Sequence, residues 1–155
     1  FMETWVSPVD DAHGFVQGHA MSGDRRGTFI HIGPHQSLTG LNCDEWLPAR
    51  AGTEHLVALA MARSISDRRG GAGAGGQAGA ALASIDVAQV ADDAGIPVER
   101  IQAAAARFDN AGRSLAVGPG VAAQHRAATA VATAPYSSSS PGSAGRRLRE
   151  LIAPV

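Results

Sequence analysis

Residues Thr28 to Ala62, TFIHIGPHQSLTGLNCDEWLPARAGTEHLVALAMA, constrain the fold more than any other stretch of the chain. Thr28 to Ile32 is β-branched and aromatic, as suits a short strand buried in a sheet. Gly33-Pro34 breaks that strand, and a polar crossing follows. Gly52-Thr53 then opens a helix, with Thr53 at the N-cap and Glu54 near the positive end of the helix dipole. Leu56, Val57, Ala60, Met61 and Ile65 recur at helical spacing and form the face expected to pack on the sheet. This order predicts a ligand-facing loop between Gly33 and Glu54, at the carboxyl edge where open α/β sheets bind their ligands.

The remaining chain repeats this grammar. Ser7-Pro8 followed by Asp10 and Asp11 predicts a helix from Pro8 to about Ala20, with Ser at the cap, Pro at the first helical position and acids in the first turn. From Gly70 to Gly79, GGAGAGGQAG has too little apolar surface to offset its ordering entropy, so a surface loop is expected over 70–80. Ser84 to Ala94 and Pro97 to Phe108 predict two helices separated by the stop signal Gly95. Ser114 to Val117 predicts a second strand, followed by Gly118-Pro119-Gly120 and an Ala-rich helix over 121–134. Alternation of this kind predicts an α/β fold with a Rossmann-like parallel sheet and helices on both faces, over residues 1–134. Residues 135–155 have turn and linker composition and predict an irregular or disordered tail. The opening FMETWV enters at an apolar run already under way, so the chain is expected to be a fragment of a longer domain.

Charge excludes some partners. Thirteen basic residues face 14 acidic ones for a net charge of −1, which leaves no electrostatic footprint for nucleic acid or an anionic membrane. No run approaches the roughly 20 apolar residues of a membrane span. The single cysteine, Cys43, falls far short of the four thiolates an iron–sulfur cluster usually takes, so no cluster is expected within this segment.

Chemistry-bearing patterns are sparse. SLAVGPGVAA spells G-x-G-x-x-A from Gly118, between a predicted strand and a predicted helix, where glycines let backbone approach a diphosphate. The acidic residue such a fold places about 20 positions later is replaced by a serine run. A tight turn explains Gly118 and Gly120 equally well. His31 and His35 flank the Gly33-Pro34 turn without a metal-binding pattern, and His13, His19, His55 and His125 are scattered, so no metal ligands are assigned. No G-x-S-x-G elbow accompanies the serines, and Cys43 reads as a small, partly buried apolar residue, so no residue is assigned a catalytic role.

The loop and helix entry carry a resemblance. Gly33-Pro34-His35, then Ser37 and Thr39, then Asn42-Cys43-Asp44-Glu45-Trp46-Leu47-Pro48, Arg50 and Ala51-Gly52-Thr53-Glu54 resemble the segment with which molybdopterin oxidoreductases hold the guanine dinucleotide end of their cofactor. With FMETWVSPV, AGIPVERIQAAAARF and SLAVGPGVA, these blocks are similar to a narrower group. That group is the molybdopterin-oxidoreductase-like domain of the large iron–sulfur subunit of bacterial alternative complex III. The resemblance implies a candidate or vestigial dinucleotide pocket made of Gly33, His35, Ser37, Thr39, Arg50, Gly52, Thr53, Glu54, Gly118 and Gly120. Hydroxyls and helix-terminal N–H groups would face phosphate, and a carboxylate would accept from guanine N1 and N2.

Two departures accompany the match: the family's acid and Arg at the turn are Gly33 and His35 here, and the helix-start Asp is Glu54. The resemblance therefore implies a scaffold without molybdenum, within a quinol-oxidising electron-transfer subunit on the periplasmic side of the inner membrane. Its iron–sulfur clusters would lie outside this segment. Its partners would be a quinol-binding membrane subunit and c-type cytochrome subunits. Two alternatives stand beside it, a working molybdoenzyme binding molybdopterin guanine dinucleotide and a small nucleotide-binding module built on Gly118 to Gly120.

Overall fold

The structure is a computed structural model that describes residues 2–3, 6–19, 27–71, 76–111 and 113–117. Two short strands, β1 (Ile30–Ile32) and β2 (Glu45–Leu47), pair in parallel, with Ile30 opposite Glu45, His31 opposite Trp46 and Ile32 opposite Leu47. Around them lie α1 (Pro8–His19), α2 (Leu38–Leu41), α3 (Glu54–Arg68), α4 (Gly76–Ala83), α5 (Val87–Ala94) and α6 (Val98–Asn110). Parallel strands need a crossover of about a dozen residues or more. Residues 33–44, containing α2, supply it.

Side chains alternate across a strand, so each three-residue strand divides its contacts between two faces. Ile30, Ile32 and Leu47 join a helical core with Val57 and Ala60 of α3, Val90, Ala91 and Ala94 of α5, and Ile101 and Ala104 of α6. Leu47, Val57 and Ile101 are fully buried. The opposite face carries His31 and Trp46, covered by the crossover: Trp46 Nε1 donates to the Gly33 carbonyl at 2.9 Å, and the His31 ring lies against Gly40. α1 meets this structure just before β1, where Phe15 packs edge-on to Phe29 at 5.5 Å.

α3 is the central helix, in contact with α4, α5 and α6. No residue from Gly52 to Ser66 is exposed, so the expected one-sided face at Leu56, Val57, Ala60, Met61 and Ile65 widens around much of the helix. Alanine makes this possible: Ala60, Ala62, Ala91, Ala94, Ala104 and Ala105 are all buried and let the helices approach closely. Arginines on the polar side tie the elements together. Arg63 Nη1 donates to the Leu82 and Ala83 carbonyls at the end of α4, and Arg100 and Arg107 of α6 both reach the Glu45 carboxylate at the start of β2.

Several boundaries differ from the sequence expectation. β2 lies inside the segment read as a polar crossing, and α2 precedes it; both are too short to show a periodicity. α4 begins at Gly76, inside the expected loop, because the last glycines lead into the apolar run AALA. The helix expected from Ser84 starts at Val87, since the Asp86 carboxylate accepts from the Ala88 and Gln89 N–H groups and fixes the start there. Ser114 to Val117 is not a strand: it has no ladder partner among the described residues, and Leu115 and Val117 are 63% and 54% exposed. The expected helix over 121–134 and the tail over 135–155 lie outside the described residues, and the parallel sheet described is two-stranded.

Leu47→Ala should lower stability by about 3 kcal/mol, the cost of a fully enclosed leucine, while the exposed Leu115→Ala should change it by no more than about 0.5 kcal/mol. Denaturant titration of both variants checks this. Equal effects would place the core elsewhere.

Candidate functional site

The segment from Gly33 to Glu54 follows the carboxyl end of β1, spans α2 and β2, and ends at the start of α3. Its backbone is well anchored. Gly33 N donates to the Leu47 carbonyl at 3.2 Å, and Arg50 N donates to the Ala94 carbonyl at 2.9 Å, joining the segment to the end of α5.

Eight of the ten candidate residues lie among the described residues. Gly33 is buried, and a Cβ there would meet His31 Nε2 at 3.2 Å, so the residue serves close packing under the turn. His35 is exposed, and its carbonyl lies 3.2 Å from His31 Nε2. Ser37 is the N-cap of α2, its Oγ accepting from Gly40 N at 3.2 Å. Thr39 is buried, and its Oγ1 accepts from Met2 N at 3.0 Å. The Glu3 carboxylate accepts from Leu38 N, so Met2 and Glu3 are both bonded to α2.

Arg50 does not point its cationic end toward a free loop. Its Nη1 donates to the Asp92 and Asp93 carbonyls at 2.9 and 3.1 Å, closing the C-terminus of α5, where orphan carbonyls and the negative end of the dipole favour a cation. Gly95 follows with φ +71°, the left-handed stop its position predicted, and a Cβ there would lie 3.4 Å from the Arg50 Nε. Gly52 has φ +87°, so it too is a turn residue that favours glycine. Thr53 occupies the N-cap position of α3 but makes no side-chain cap bond; its Oγ1 donates to the Arg50 carbonyl at 2.7 Å instead.

Glu54 stands apart. It is 8% exposed, and neither carboxylate oxygen has a hydrogen-bond partner. A neighbouring buried atom, His55 Nδ1, is also unpartnered. Gly118 and Gly120 lie outside the described residues. The set brought together is therefore Gly33 to Glu54 along one anchored segment.

Sequence reasoning missed two residues that organise this segment. His31 fills the space beneath α2: a Cβ on Gly40 would stand 2.7 Å from its ring. Asp44 Oδ2 accepts from Phe29 N at 2.8 Å, and Asp44 Oδ1 pairs with His19 Nε2 at 3.3 Å, linking the end of α1 to the start of β1. A histidine between two isoleucines at strand spacing was the available signal for the first. The second depends on a contact remote in sequence and had none.

Among the described residues, no three or more His, Cys, Asp or Glu side chains gather as a metal site, and no helix is long and apolar enough to cross a membrane.

The class these features define is a mixed helical α/β domain with a small parallel sheet and an anchored strand-to-helix segment. No family model matches the chain, and no solved structure matches it. Over 64 residues the chain is 31% identical to the menaquinone reductase, molybdopterin-binding-like subunit, of Nitratidesulfovibrio vulgaris. That match takes in 41% of this chain and 9% of the subunit.

Two substitutions test the geometry. Gly40→Ala should cost about 2 kcal/mol through its clash with His31, and His31→Ala in the same chain should return part of that loss. A double-mutant cycle that adds within about 0.3 kcal/mol would show no contact. Arg50→Met should cost about 1 kcal/mol by uncapping α5, with protection of the Asp92–Ile96 amides in hydrogen exchange falling most.

Proposed function

We propose that this chain is part of a molybdopterin-oxidoreductase-like subunit of a respiratory quinone oxidoreductase, and that its strand-to-helix segment is a scaffold, not a cofactor pocket. One observation carries the scaffold reading. The groups that would meet a dinucleotide are engaged with the protein's own backbone: Ser37 and Thr39 accept from N–H groups, and Arg50 and Thr53 donate to carbonyls. Turning Arg50 or Thr53 toward phosphate would take a donor from a backbone carbonyl, at a cost of about 1–3 kcal/mol where that carbonyl is closed to water. These bonds support the scaffold reading, and no chemical step is assigned to this segment.

The likeness to the menaquinone reductase subunit supports the respiratory setting. In its finer form the proposal places residues 1–134 in the molybdopterin-like domain of an alternative complex III iron–sulfur subunit. The clusters then belong to another part of the parent protein, the partners are a quinol-binding membrane subunit and c-type cytochromes, and the assembly faces the periplasm. The role left to this segment is structural, presenting a stable α/β unit to the rest of the complex.

A second reading, part of a working molybdoenzyme, is favoured by Glu54, a buried carboxylate with no partner at the head of α3. Two measurements separate the readings. The intact parent complex should contain no stoichiometric molybdenum by elemental mass spectrometry, and calorimetry with GDP should give no dissociation constant below about a micromolar. Stoichiometric metal, or a sub-micromolar constant, would overturn the scaffold reading. Glu54→Met should raise stability by about 1 kcal/mol under the scaffold reading, since it removes a buried polar group that has no hydrogen-bond partner. Under the second reading the same substitution should lower the molybdenum content.

A further inference from the structure

We draw no further inference here: the strongest candidate, the buried and unpartnered Glu54 carboxylate at the N-terminus of α3, belongs to the candidate dinucleotide site already described, and nothing among the described residues shows what faces it.

Discussion

The enclosure of Leu47 by α3, α5 and α6 is the contact on which the rest of the structure depends. A pair of three-residue parallel strands cannot hold itself together in water, because so few ladder bonds do not repay the entropy of bringing the strands side by side. The strands persist here because one face of them is part of a helical core. Leu47 is the residue of β2 that reaches this core, and its register opposite Ile32 brings β1 with it. A slip of one residue would either exchange Leu47 for Trp46 or Pro48, if β2 moved, or turn the isoleucines away from the helices, if β1 moved. Register, core and crossover length are thus a single solution.

The same alternation explains the division of labour between the two faces. Apolar side chains meet the helices, while His31 and Trp46 are covered by a crossover that bonds to them or packs on them. Arg50 and Arg63 perform parallel tasks at the ends of α5 and α4, each closing a helix that is distant in sequence. Helix ends are the places where backbone carbonyls lack partners. In a chain whose basic residues are all arginine, the planar guanidinium supplies two donors to two adjacent carbonyls at once.

Much of the helical framework was legible in the sequence, because α1, α3 and α6 carry start signals, α3 also shows an apolar period, and Gly95 is a stop signal with a physical cause. β2 and α2 were not legible. A three-residue strand flanked by Asp44 and Pro48 and a four-residue helix offer no period to detect; β2 depends on pairing with β1 and on burial of Leu47 in the helical core, and α2 on packing against His31. Ser114 to Val117 shows the opposite error: local composition suited a strand, but a strand exists only where a neighbour pairs with it. The strand-to-helix segment was legible as a place in the chain. Its sequence carries the hydroxyls and the guanidinium that a phosphate would want. The backbone partners that hold them, such as Met2 N and the Asp92 carbonyl, are ones that no local pattern reveals.

The abundance of alanine in the helical contacts sets an unusual pattern of vulnerability. A core of leucines is harmed chiefly by truncation, since a smaller side chain leaves a void. Where Ala60, Ala94 and Ala104 are already fully enclosed, there is almost nothing to truncate, and the hazard runs toward growth. A single added branch at any of them would wedge two helices apart. Sequence drift in this segment is therefore confined from above, by volume, and the tight interhelical spacing is preserved less by what its residues contribute than by what their positions exclude.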